Sequence, residues 1–159
     1  MNAIEMLTQT LEQTHGLLKD TLGDFTEADM LERPTPGANH AAWQLAHLIA
    51  AEGHMMSPTK APMPVLPVEI ERVIGKEGSA LDSPADFPKK DQLLALFSQA
   101  RQAAIAGIKT LSESDLDKPT GFPHAPTVGL LLALINAHTV MHIGQLQVIR
   151  RKLGKPVMF

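Results

Sequence analysis

No proline falls between Thr127 and Leu153, and this uninterrupted stretch is the strongest constraint on what the chain can build. It reads as one helix, which at about 1.5 Å per residue is close to 40 Å long. Gly154 followed by Pro156 marks its end. The eight residues from Val128 to Ile135 are all apolar, so this half of the helix has to be covered on every side. That need predicts either cover from the rest of the chain or self-association into a homodimer through helices.

Three other segments carry helical periodicity. From Ala3 to Phe25, the residues Ile4, Leu7, Leu11, Leu18, Leu22 and Phe25 recur at three- and four-residue spacing, which defines one buried helical face. Gly23 and the Pro34-Thr35-Pro36-Gly37 cluster break this pattern, and Thr26-Glu27-Ala28-Asp29 between them reads as a capped single turn. A second helix is expected from near Asn39 to about Met56, ended by Ser57-Pro58. A third is expected from about Asp91 to Leu111, with Leu94, Phe97, Ala100, Ala104, Ile108 and Leu111 inward. Between the second and third, Pro58, Pro62, Pro64, Pro67, Pro84 and Pro88 with Gly75 and Gly78 preclude a continuous helix. The result is a long Pro-rich connection with room for a short helix over Val68 to Ile74. A connection of that length either covers a site, as a lid, or packs over one end of the domain. A weak repeat, Phe25 to Met30 and Leu111 to Leu116, places the same capping pattern between two long helices in each half. The chain therefore reads as all-α, a four-helix bundle forming a single domain over residues 1–159.

Composition removes several classes of function. With no cysteine among 159 residues, disulfides, thiolate metal sites and cysteine nucleophiles are excluded. A net charge of −3, one Trp, five Phe and no Tyr supply neither the basic field nor the stacking surface of a nucleic-acid binder. No run of about 18 apolar residues and no basic-then-apolar N-terminus occur, so no membrane association is expected and the expected setting is cytoplasmic. Nucleophile-elbow, P-loop and dinucleotide patterns are missing as well.

The histidines are the informative residues. His138 and His142 lie four apart on the last helix, within about 40° of each other and one turn apart, so both imidazoles can reach one ion. They share their face with Leu131, Ile135, Gln145 and Ile149 and are expected to point into the bundle. His47 sits between Ala46 and Leu48 and follows Trp43, with the same inward expectation. These residues are either hydrogen-bonded core histidines or three nitrogen ligands that leave an open coordination position, the arrangement of a catalytic metal site. His40 and His54 share the stripe of His47 but lie about 10 Å away along the helix, so they are expected near the helix ends, facing solvent or the pocket mouth. His15, between Leu11 and Leu18, reads as a core residue or a support to the ligands. Gln145, one turn past His142, could hydrogen-bond a ligand or substrate. Glu52 is rotated by about 140° from His47, and no general base stands out. Arg150, Arg151, Lys152 and Lys155 suit the exposed carbonyls at the helix end.

The segment Trp43-Gln44-Leu45-Ala46-His47-Leu48, with Glu52 behind it, and the segment His138-Thr139-Val140-Met141-His142-Ile143-Gly144-Gln145, running on to Gly154, resemble the second and closing helices of the DinB/YfiT-like family of metalloenzymes. The resemblance implies an up-down-down-up four-helix bundle and a divalent metal held by His47, His138 and His142. It also implies activation of a low-molecular-weight thiol for S-transfer to a small electrophile, with the thiol or a water molecule as nucleophile. Hydrolysis of an amide or ester is the alternative, and a non-enzymatic helical binding module is a third reading. Three neutral imidazoles leave the ion's charge uncompensated and favour an anionic ligand. Zinc is the expected metal by availability, with nickel or iron also suited to imidazole ligation.

Overall fold

The structure, a computed structural model, describes residues 1–75 and 77–158. Its helices are α1 (Ala3–Leu22), α2 (Ala41–Met56), α3 (Val68–Ile74), α4 (Lys90–Ile108) and α5 (Val128–Lys152). A two-stranded antiparallel hairpin, β1 (Pro119–Phe122) and β2 (Ala125–Thr127), precedes α5. Periodicity did not foretell this hairpin, because its strands are only four and three residues long and interrupted by proline.

The four long helices form a bundle in which the first and last lie side by side, and so do the two in the middle of the chain. α1 packs on α4 and α5, and α2 packs on the same two. The core has two ends. Leu18, Leu22, Leu45, Ile49, Leu93, Phe97, Leu146 and Ile149 fill one. Leu7, Leu11, Met55, Met56, Ala104, Ile108, Leu131 and Ile135 fill the other. α1 and α5 therefore run one way and α2 and α4 the other, which is the up-down-down-up arrangement. Burying such faces, at about 25 cal/mol per Å² of apolar surface, is the main stabilising term.

Local chemistry fixes the helix ends. Asn2 and Glu5 make a reciprocal capping box on α1, Thr127 caps α5, and the ring of His40 caps α2 by accepting from the Trp43 amide at 3.2 Å. The repeated Thr/Ser-x-x-Asp pattern folds alike in both places. Thr26 and Asp29 exchange side-chain bonds to each other's amide, the Ser112 amide donates to Asp115, and each turn buries one apolar residue, Met30 or Leu116.

Several expectations change in detail. α4 turns inward with Leu93, while Leu94 is only half-buried. Arg101 of the same helix is completely buried. Residue Arg150 of the basic cluster is also buried, donating to the carbonyls of Thr21 and Pro156 and to Asp24. Lys152 and Lys155 reach the carbonyls of Arg33 and Asp24, so these cations join α5 to the α1–α2 connection and not to their own last turn. By length and composition alone α5 could cross a membrane, although its apolar residues are not in one unbroken run. In the fold it lies along α1 and α2.

A candidate metal centre between α2 and α5

Antiparallel packing of α2 on α5 brings His47 against His138 and His142. The Nε2 atoms of His47 and His138 stand 3.2 Å apart, as do those of His138 and His142. One ring nitrogen from each of the three lies within 4.8 Å of the others. Two nitrogens about 2.0–2.1 Å from a tetrahedral ion are themselves about 3.3 Å apart, a spacing that both pairs made by His138 already have, while His47 and His142 stand within 4.8 Å of each other.

Hydrogen bonding sets the direction of the lone pairs. Nε2 of Gln44 donates to the Asn39 carbonyl at 2.7 Å, which turns Oε1 of Gln44 toward Nδ1 of His142 at 3.0 Å. That oxygen can only accept, so Nδ1 of His142 carries the proton and its Nε2 presents a bare lone pair to His138. A proton on Nε2 of His138 could serve just one of its two neighbours. A cation serves all three lone pairs at once, and the donor set fits a divalent ion of the zinc type.

The rings are tuned to the neutral, metal-competent form. Burial, then the neighbouring rings of His138 and His47, lower His142 to about 4. Burial also lowers His47, and burial followed by His47 lowers His138. The Trp43 indole stacks on the His47 imidazole with centroids 5.0 Å apart and planes 8° from parallel, which fixes the ring plane. His142 is buried, whereas His47 and His138 are half-exposed. The cluster consequently has one open side, with Trp43 stacked on His47 at its α2 edge and the exposed Leu134 and Met141 about one turn to either side of His138 on α5.

The remaining sequence candidates lie elsewhere. His40 is completely buried, held between the Trp43 amide and the Leu81 carbonyl at 2.9 Å, because it is the helix cap and not a solvent-facing residue. His54 is exposed, against Phe122. His15 pairs with Ser98 at 2.9 Å between α1 and α4 and makes no hydrogen bond to the three clustered histidines. Gln145 is exposed beside Pro34, Asn39 and Val148. The glutamine that orients a ligand is Gln44, on the facing helix, whose role needs the α2–α5 packing and is not set by spacing along either helix. Glu52 does not face the cluster. It makes a bidentate pair with Arg101, 2.7 and 3.1 Å, in the bundle interior, where burial pushes its carboxyl up against the pull of the guanidinium. The Pro-rich connection packs on the α2 and α4 side. There Met63 to Pro67 close a cavity of about 280 Å³ with Ile49, Ala50, Gly53, His54, Leu96 and Ala100. None of the three clustered histidines lines it, so a lid over them is not what this segment forms.

The DinB superfamily model matches residues 10–146, a span that contains all three histidines, and the chain belongs to that superfamily. No curated protein matches the chain in sequence. Among solved structures, a conserved protein from Enterococcus faecalis is similar with a TM-score of 0.68 at 16% identity, covering 98% of this chain and 99% of its own. YfiT from Bacillus subtilis, described as a probable metal-dependent hydrolase with an unusual four-helix bundle topology, is similar with a TM-score of 0.65 at 20% identity, covering 96% and 89%. At these identities the likeness is one of fold.

Proposed function

We propose that this protein is a divalent-metal-dependent enzyme that holds its ion with Nε2 of His47, His138 and His142 and acts on a small molecule entering from the open side. The observation that carries this reading is the convergence of three ring nitrogens of which one N–H···N bond can satisfy only two. A divalent ion there lowers the pKa of a coordinated thiol or water and so supplies an anionic nucleophile at neutral pH. His142, fixed by Gln44, and His47, fixed by Trp43, hold the donor geometry without substrate. Trp43, Leu134 and Met141 give the mouth apolar walls that exclude water from one side of the reacting group.

S-transfer from a low-molecular-weight thiol to an electrophile is the first reading within this class. Displacement by a thiolate needs no proton delivered to a leaving amine. The described residues offer no free carboxyl group at the site: the ligand-bearing cluster is histidine alone, and Glu52 is bound to Arg101. Metal-dependent hydrolysis is the second reading, favoured by the description of YfiT.

The test begins with elemental analysis of untagged protein purified without chelator, beside His47→Ala, His138→Ala and His142→Ala. Near-stoichiometric zinc, nickel or iron in the parent and its loss in every variant is the expected result. Loaded protein is then given 1-chloro-2,4-dinitrobenzene with and without a small thiol, and separately a nitrophenyl ester. Thiol-dependent release of chloride supports transfer, and ester cleavage without thiol supports hydrolysis. A parent that stays metal-free after reconstitution removes both.

A further inference from the structure

The outer face of α5 has no charged group over most of its length. Its exposed residues from Leu130 to Val148 are Leu130, Ala133, Leu134, Ala137, Val140, Met141, Gly144, Gln145 and Val148, of which Leu130, Met141 and Val148 are 55%, 52% and 46% exposed. Within this face, Leu130, Leu134, Ala137, Met141, Gly144 and Val148 are spaced four, three, four, three and four apart. That is the seven-residue repeat of a helix–helix seam, and it reads the same from either end. In an antiparallel pairing of two copies Leu130 meets the partner's Val148, Leu134 meets the partner's Gly144, and Ala137 meets the partner's Met141. Each of the last two contacts sets a large side chain against a small one. A parallel pairing would place glycine on glycine and alanine on alanine and leave gaps along the seam.

We infer that two copies of this chain associate through this face, α5 against α5 antiparallel, about a two-fold axis near residue 139. From Leu130 to Val148 the uncharged face runs about 27 Å along the helix, and a specific interface needs roughly 1,000 Å² in total, so the two seams have to be engaged along their whole length. The two-fold makes the contact isologous and self-limiting. Ala137 and Gly144 let the axes approach to about 8 Å, the lower end of helix packing. Leu134 and Met141 flank His138 on the same helix, so the partner's α5 lies along one rim of each histidine mouth. The axis relating the copies is normal to the helix pair, so both mouths open on the same side of the dimer. The association itself does not depend on the metal.

Gly144 provides a clean test, because a Cβ built there meets nothing within 4 Å in the single chain. The protein without any tag is expected to sediment at twice the 17.2 kDa of one chain, and Gly144→Glu at once that mass with its helical circular dichroism intact. The chain has no cysteine of its own, so direction is read by mixing Leu134→Cys with Gly144→Cys under mild oxidation. Antiparallel pairing gives the mixed 134–144 disulfide, identified by mass, in clear excess over either like pair. A parent that sediments as a monomer at 100 µM overturns the inference, as does a dimer insensitive to Gly144→Glu or crosslinked mainly in like pairs. Monomeric parent that cosediments with phosphatidylcholine vesicles also overturns it and assigns the face to a lipid surface.

Discussion

Two of the polar clusters in the interior of this bundle solve the same problem in opposite ways. Arg101 and Glu52 form the closed one. The guanidinium donates to both Glu52 oxygens, to the Leu11 carbonyl at 3.0 Å and to the hydroxyls of Thr14 and Thr139 at 3.0 and 2.9 Å. All four long helices contribute to it. The side chains of both ions are at most 2% exposed, and every donor direction of the arginine is used within the chain. His47, His138 and His142 form the open cluster, half-buried at its rim, with three converging ring nitrogens of which one N–H···N bond can satisfy only two. A cluster that completes itself has no use for a ligand. One that cannot is arranged to take one.

The sharpest way to break the comparison is to damage the closed cluster. Arg101→Met strands the Glu52 carboxyl among apolar side chains and is expected to lower the free energy of unfolding by about 3–5 kcal/mol. Adding Glu52→Leu to it is expected to restore most of that loss, since the desolvated charge is then gone. Urea denaturation of the two variants beside the parent checks both statements. A double variant no more stable than the single one would mean that the network, and not the stranded charge, holds the helices together.

Damage to the open cluster should behave differently. His138→Ala is expected to change the stability of the metal-free protein by less than about 1 kcal/mol, because a half-exposed ring leaves a space that water can fill. A metal ion at a hundredfold excess over its Kd is expected to stabilise the parent by ~2.7 kcal/mol and this variant not at all. Thermal melts with and without zinc decide it, and equal stabilisation of both would place the ion elsewhere.

Acid sharpens the same contrast. The folded-state value of about 4 for His142 lies below its ordinary value near 6.5, so the unfolded chain takes up this proton first. The resulting stability is complete above pH 6.5, drains away as the pH falls toward 4 and changes no further below that. Melting temperatures of metal-free parent and of His142→Gln across this range should diverge, with the parent showing the steeper decline.

How much of this was visible in the sequence depends on whether a feature is set by one helix or by several. The histidine pair on α5 is one turn of one helix, and the helical period alone places both rings together. The long helices, the short α3 and the capped turns follow from local patterns in the same way. The Glu52–Arg101 pair escaped because each residue, read on its own helix, looks like a solvated charge. Its burial exists only once α1, α2, α4 and α5 are assembled. His40 escaped for a similar reason: a histidine next to a helix start suggests solvent, and it took the Leu81 carbonyl from the Pro-rich connection to bury it.

The two glutamines set the finest form of the comparison, between a residue that completes the open cluster and one that only lies near it. Gln145 follows His142 by three residues and on spacing alone is the better candidate, yet it is exposed. Gln44, from the facing helix, is 1% exposed and holds the proton of His142 in place. Gln44→Leu removes that acceptor, frees the His142 proton to move to Nε2, and is expected to weaken metal affinity by about 10- to 100-fold with no loss of any ligand. Gln145→Ala is expected to leave affinity unchanged. Competition titration with a chromophoric chelator measures both. If the two variants weaken binding equally, the tautomer of His142 is not what prepares the site, and the geometry of the three rings alone would have to account for it.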